Sequence, residues 1–227
     1  VRDGDFLKAD KTTLGGDNGI AIALVLDILA DPDCKHGPIE AIFTVSEETG
    51  LTGAFNVEQK HINSRLMINL DSEEEGVLYI GCAGGIEVRS FLPVTWSKVD
   101  PSGKAFLLTA NGMLGGHSGA EIHQQRANAI KVVARVLHQA PDFQVFKAEG
   151  GTKRNVIPSV CMAAVVVKAE DEHALRALLE KVQAELSGEY ELSDPGLTLS
   201  LTETALPERA VDCETSRRFF TALYAAH

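Results

Sequence analysis

IEAIFTV, residues Ile39–Val45, runs directly into Ser46 and the pair Glu47-Glu48. The run is rich in β-formers and mostly apolar, the pattern of a strand covered on both faces. A strand of that kind belongs in a sheet layered with helices, so the stretch points to an α/β layer with a partly parallel sheet. Its neighbours fit. LMINL (Leu66–Leu70) reads as a second buried strand, Val77–Ile80 as a third, and Asp5–Ala9 as a short one. Ile20–Ala30 is a helix apolar almost all round, which predicts burial. Asp31-Pro32-Asp33 ends it, because proline cannot continue a helix. Thr52–Asn56 reads as a short helix.

After Gly84-Gly85 the pattern changes. Ile86–Leu92 and Ala105–Ala110 read as strands with alternating faces, and a helix follows over roughly Ser118–His138. Further strands are expected at Phe143–Ala148, Cys161–Val167 and Leu197–Leu201. Leu175, Leu178, Leu179, Val182 and Leu186 mark the apolar face of another helix, and Cys213–His227 a last one. The order β-β-α-β-β-α-β fits a ferredoxin-like α+β sheet of split βαβ type with its helices on one face. The expected boundary is near residue 86, giving domains 1–85 and 86–227. The chain opens on Val1 rather than Met, and its last helix meets no stop signal, as expected of an internal portion of a longer protein.

The 227 residues include 32 acids and 21 bases, a formal charge of −11. Hydrophobic residues make up 44%, enough for a real core, which excludes wholesale disorder. The acidity argues against a nucleic-acid partner, since phosphate binding wants a basic face. Apolar runs such as Ile20–Leu26 are far short of a membrane span. Cys34, Cys82, Cys161 and Cys213 form no CxxC pair and read as reduced thiols, as in a cytoplasmic protein.

Three acidic sites share one context. Asp17 lies in the loop Gly15-Gly16-Asp17-Asn18-Gly19 before the apolar helix, Glu47-Glu48 follow one strand, and Asp71 follows another. Ligands of open α/β sheets gather beyond the carboxyl ends of strands, so these acids are expected to converge. Converging carboxylates repel, and a bound cation compensates. Each also has an ordinary reading: Asp17 as a loop acid with Asn18 capping the helix, Glu47-Glu48 as solvated surface, Asp71–Glu75 as a charge run. The Glu47-Glu48 pair allows one carboxylate to bind metal while the other takes a proton from a metal-bound water. An all-oxygen set by itself suggests Mg, Ca or Mn.

Gly115-Gly116-His117-Ser118-Gly119 is the second candidate site. Ser118 and Glu121 match S-x-x-E, a capping box opening the next helix. His117, between glycines, could donate to a developing oxyanion. His36, His61, His138, His173 and His227 read as solvated, and His123 is a weak candidate. Gly150–Pro158 (GGTKRNVIP) is a turn in which Asn155 or Arg154 could contact substrate. There is no phosphate-cradling glycine motif and no visible Ser or Cys nucleophile with its base.

TTLGGDNGI (12–20), TVSEETGLTGA (44–54), INLDSEEEG (68–76), GCAGG (81–85), GGHSGAEIH (115–123) and GGTKRNVIP (150–158) occur in order with sensible spacing. As a set they resemble the aminoacyl-histidine (Xaa-His, carnosine-type) dipeptidases of the two-zinc aminopeptidase and carboxypeptidase clan. The resemblance implies a catalytic α/β domain in 1–85 and an inserted lid or dimerisation domain in 86–227. It implies Asp17 as the carboxylate bridging two Zn²⁺ ions (Mn²⁺ or Co²⁺ being substitutes), with Glu48 and Asp71 as terminal ligands. Glu47 would be the general base, His117 the lid histidine that reaches a substrate carbonyl, and Asn155 a substrate contact. A dipeptide substrate, a homodimer built through the lid and a cytoplasmic setting follow from the same resemblance. The family's upstream H-x-D motif and late histidine ligand are not in this sequence, so each zinc would find only two of its ligands here. This chain alone is therefore expected to bind metal weakly and to hydrolyse no peptide. A catalytically silent lid that self-associates is the alternative. An acidic Ca²⁺ module is weaker, with no D-x-[DN]-x-[DN]-G loop to support it.

Overall fold

The computed structural model describes residues 1–226 apart from 11–13, 15, 73, 83, 85 and 87. Gly15 of the Asp17 loop, Glu73 of the charge run, Gly85 and His227 thus lie outside the described residues. The chain divides into two compact units, 1–86 and 87–227. Helix and strand are mixed in it, and no helix among the described residues is long and apolar enough to cross a membrane.

The first unit holds a small hairpin of β1 (Arg2–Asp3) and β2 (Phe6–Leu7), then α1 (Gly16–Ala30) and α2 (Thr52–Phe55). The second holds β3 (Trp96–Lys98), β4 (Lys104–Asn111), β5 (Gly116–His117), α3 (Ala129–Gln139), β6 (Phe143–Gly150) and β7 (Val156–Ile157). It continues through β8 (Cys161–Val167), α4 (Glu172–Glu189), β9 (Thr198–Thr204), β10 (Arg209–Val211) and α5 (Cys213–Ala225).

The second unit is built on an antiparallel sheet of order β6-β8-β4-β9. With α3 and α4 as crossovers this is the expected split βαβ arrangement. β8 and β4 are the interior strands, and β8 is almost wholly buried. Its alternation sends Ala163, Val165 and Val167 to one face, where Phe106 and Leu108 of β4 and Phe143 and Val145 of β6 join them. α3 offers Ala129, Val132, Val133, Val136 and Leu137 to that core, and α4 offers Leu175, Val182 and Leu186. Ala105 and Val166 point to the opposite face and form a smaller cluster with Val99 and Ala210. The register of β6 on β8 slips between Val145 and Lys147, and the bulge residue Phe146 packs on that smaller cluster.

The helix expected over Ser118–His138 begins only at Ala129. Gln125 has a positive φ of 52°, which interrupts any helix, and the amide of Ala127 is already bound elsewhere. The cap is Asn128, whose side chain accepts from the amides of Ile130 and Lys131. The Ser118–Glu121 capping box does not form: Glu121 turns back to the amide of His117, and Ser118 donates its amide to the Asn155 carbonyl. The strand expected at Ile86–Leu92 is not seen among its described residues, whose backbone joins no ladder. His138 is half-buried rather than solvated, stacked on Tyr224 at 4.6 Å.

α3 and α5 cap one another. The Lys131 ammonium donates to the carbonyls of Leu223 and Tyr224 at the end of α5, at 3.1 and 2.6 Å, and to Ala226. Arg217, on α5, donates to the carbonyls of His138, Ala140 and Pro141 at the end of α3. Each cation satisfies carbonyls that a helix end leaves without partners and meets the negative end of the helix dipole.

One buried carboxylate closes the unit. Asp194, between α4 and β9 and 1% exposed, accepts from the amide of Leu114 at 2.7 Å and of Ala127 at 2.6 Å. Beside it Gly112, at φ +75°, lets the backbone pass so close to Gly196 that a Cβ would lie 1.9 Å from the Gly196 carbonyl oxygen.

The first unit departs from expectation in its packing. Residues 39–45, 66–70 and 77–80 join no strand ladder, and α1 has no buried residue. Ile20 is 64% exposed. An apolar helix and apolar strands need covering layers on each side, and the described residues of this unit supply none. What organises the unit is polar. Glu40 accepts from the amide and side chain of Asn63 at 3.1 and 3.0 Å, from the amide of Ser64 at 2.6 Å, and from the Ser64 hydroxyl.

Two outcomes follow. Asp194→Ala strands two amide donors, at about 1–3 kcal/mol each. Urea unfolding should show a lower midpoint with an unchanged m-value, and a midpoint within error of the parent's would contradict the clamp. The Ser64 hydroxyl, followed by the Asn63 and Ser64 amides, lowers the Glu40 carboxyl from 4.5 to about 2. A depressed carboxylate stabilises fully above its unfolded value and loses that contribution as pH falls through the folded one. The clamp should therefore hold at neutral pH and open between about pH 4.5 and 2. Carboxyl NMR of Glu40 checks this, and an ordinary glutamate titration would refute it.

Candidate active site

The first unit brings Glu48, Asp71 and Asp17 into electrostatic reach of Glu47. Burial, followed by the charges of Glu48, Asp71 and Asp17, raises the Glu47 carboxyl above its ordinary value. The acids lie after residues 39–45 and 66–70 and at the entry to α1, although neither of those segments forms a strand. Asn18 makes the link. Its Nδ2 donates to the Leu70 carbonyl at 2.9 Å and to Asp71 Oδ1 at 3.3 Å. Its Oδ1 accepts from the Ala21 amide at 3.0 Å, the helix-capping role read from the sequence. The Asp17–Asn18 peptide bond is cis. Gly16, Asp17, Asn18, Leu24, Leu70 and Asp71 line a cavity of about 520 Å³.

The Glu47-Glu48 turn is held by backbone. The Glu47 carbonyl accepts from the amides of Gly50 and Leu51, and Gly53 donates its amide to the Val45 carbonyl at 2.9 Å. A Cβ on Gly53 would lie 2.4 Å from the Val45 amide nitrogen, so only glycine lets α2 start against that segment. Ser46 and Leu51, on either side of the glutamates, both have φ of 58°. A left-handed non-glycine residue costs of order 1 kcal/mol and concentrates at functional turns. No sequence signal marked either residue.

No three His, Cys, Asp or Glu among the described residues stand close enough together to form a ready metal cage. Asp17, Glu48 and Asp71 are nonetheless exposed oxygen donors around a shared excess of negative charge, a chemistry that a divalent cation fits.

The second unit brings His117 and Asn155 together. β5 pairs with β7, setting His117 opposite Val156, and the Ser118 amide donates to the Asn155 carbonyl at 2.9 Å. Both residues are exposed. The amides of Gly119 and Ala120 donate to His117 Nδ1, each at 3.1 Å. A neutral imidazole has one donor and one acceptor nitrogen, so its proton sits on Nε2, which is the donor a carbonyl oxygen needs. His123 lies in an exposed 3-10 turn, and His36, His61 and His173 are exposed as expected. Burial pushes the Cys161 thiol up to about 11, which keeps it protonated and unreactive at neutral pH.

Residues 108–194 match the peptidase dimerisation domain family. The cytosol non-specific dipeptidase of Escherichia coli K12 is 38% identical over 226 residues, covering 98% of this chain and 47% of that protein. An uncharacterised Bacillus subtilis protein is 27% identical over 211 residues, 85% of this chain and 52% of its own length. The crystal structure of an aminoacylhistidine dipeptidase from Vibrio alginolyticus superposes with a TM-score of 0.71 at 32% identity, covering 99% of this chain and 46% of that one. The chain thus spans about half the length of the relatives it matches. Along nearly all of its own length it is similar to cytosol non-specific and aminoacylhistidine dipeptidases, and residues 108–194 of its second unit match the peptidase dimerisation domain.

Proposed function

We propose that this chain supplies part of the metal site, the general base and the lid of a cytosolic dipeptidase that cleaves Xaa-His-type dipeptides as a homodimer. The observation that carries the reading is the carboxylate cluster: Asp17, Glu48 and Asp71 all act on Glu47, at the positions the motifs single out. The names of the similar proteins support the substrate class and the cytosolic setting, and the dimerisation domain supports assembly through the second unit.

In this reading Asp17, Glu48 and Asp71 would hold Zn²⁺, for which Mn²⁺ or Co²⁺ could substitute. A metal held there would lower the pKa of water, so that a hydroxide nucleophile would be available at neutral pH. Glu47, pushed up by burial and like charge, is placed to take a proton and to return one to the leaving amine. His117 donates its Nε2 proton to the carbonyl oxygen as negative charge builds there. Asn155, packed against the same turn, contacts the bound dipeptide. Only carboxylates of the site lie in this chain, whereas zinc sites ordinarily include nitrogen or sulfur donors. The chain alone therefore binds metal weakly and is catalytically silent.

Calorimetric titration with Zn²⁺ should show weak binding that drops by about tenfold or more in Asp71→Asn, by analogy with losses at metal sites generally. Equal affinity in the two proteins would remove Asp71 from the site. Hydrolysis of an Xaa-His dipeptide by this chain with added zinc would overturn its incompleteness. In a longer protein containing the chain, Glu47→Gln should lower kcat roughly 10²- to 10⁴-fold. Assembly is separable from chemistry: sedimentation should find a dimer that persists in Glu47→Ala and Asp71→Asn. A monomer at high concentration would count against the lid as the assembling unit.

A further inference from the structure

We propose that the Glu121–Arg126 ion pair is a positioning device for the His117 imidazole, holding the 115–121 turn in the conformation that keeps the ring proton on Nε2. The inference deepens the reading of His117 as a carbonyl donor and rests on it.

Two amides converge on Nδ1 only if the turn is tightly wound. Glu121 winds it twice over. Its amide donates to the His117 carbonyl at 2.9 Å, and its Oε2 accepts from the His117 amide at 2.8 Å. Residues 117 and 121 are thereby closed into a ring, with Gly119 and Ala120 inside it and their amides turned to the imidazole.

Arg126 holds that ring from the far side. Its Nη1 lies 3.0 Å from Glu121 Oε1 and donates to the Gly115 carbonyl at 2.5 Å, while Nη2 donates to Gln124 Oε1 at 2.6 Å. One planar fork thus meets three acceptors, which a lysine ammonium on a flexible stem could not do in the same geometry. The Arg126 side chain is only 17% exposed. Gly116, at φ +134°, makes room: a Cβ there would lie 2.5 Å from both Arg126 Nη1 and Glu121 Oε2. The glycine next to His117 is therefore required by the ion pair. The His117 amide, followed by Arg126, lowers the Glu121 carboxyl, so this carboxylate stays charged and accepting at neutral pH.

Long-range ¹H–¹⁵N spectra of the histidine rings in the full chain test the proposal, recorded at alkaline pH where imidazole is neutral. His117→Gln assigns the signal by its loss. His117 is expected to show a protonated Nε2 well separated from a lone-pair Nδ1. Arg126→Met should draw the two resonances together as the ring exchanges between tautomers, and Arg126→Lys should fall between. Unchanged separation in an Arg126→Met protein whose β8 amide resonances stay in place overturns the proposal. If Arg126→Met does not fold, Glu121→Gln is read in the same way: converging resonances support the proposal and unchanged ones refute it. The measurement needs no turnover, so its failure leaves the dipeptidase reading intact, and failure of the Glu47 test leaves the tautomer result intact.

Discussion

Asp194 is the constraint on which the second unit's working surface depends. A carboxylate with 1% exposure is expensive to bury, and this one is satisfied by backbone amides rather than by a cation. Its two acceptor bonds join the turn after α4 to the start and the end of the segment that carries His117. Without them that segment would hang between β4 and α3 with its amides competing for water. The Gly112–Gly196 approach exists because Asp194 draws the two stretches together, and neither glycine could be replaced while that bond pattern stands.

The units reach order by different means. In the second, apolar alternation on β8 and β4 meets the apolar faces of α3, α4 and α5, and polar groups act only at the seams. In the first, apolar segments lie open and polar tethers set the geometry: Glu40 on Asn63 and Ser64, Asn18 on Leu70 and Asp71, Gly53 on Val45. Such tethers fix local geometry, but each is worth only about 1 kcal/mol net against solvent. The proposed metal chemistry therefore sits on the less buried half of the chain. Like charge on Glu47 adds a repulsion there that a bound cation would offset.

The legibility of the sequence followed the same divide. Cys161–Val167 was readable because an interior strand leaves an unbroken apolar run. The α4 face was readable because its leucines keep helical spacing. The start of α3 was not, because Ser118 and Glu121 match a capping box by residue type while their actual partners, Asn155 and His117, are set by tertiary contact. The strands around Ile39–Val45 have the composition of a sheet interior, but composition cannot say which layers will cover them. At the candidate site the acids were legible as charges after apolar runs. Asn18 as their link, the left-handed Ser46 and Leu51, and the Glu121–Arg126 pair were not, since each is defined by geometry rather than by residue type.

Both candidate sites solve one problem in one way. A side chain meant for proton transfer or hydrogen-bond donation must keep a fixed direction while sitting on a loop, where side-chain packing is sparse. The chain uses its backbone instead. Glu47 sits in a turn bracketed by two left-handed residues, with its own carbonyl held by two amides. His117 sits between a left-handed Gly116 and two amides that hold its ring. Backbone donors carry no rotamer entropy of their own, so orienting a side chain with them costs less than orienting it with a second flexible side chain. That economy fails if the turn itself unwinds, and each turn is tied down by further polar contacts: Gly53 to Val45, and Glu121 and Arg126 around His117.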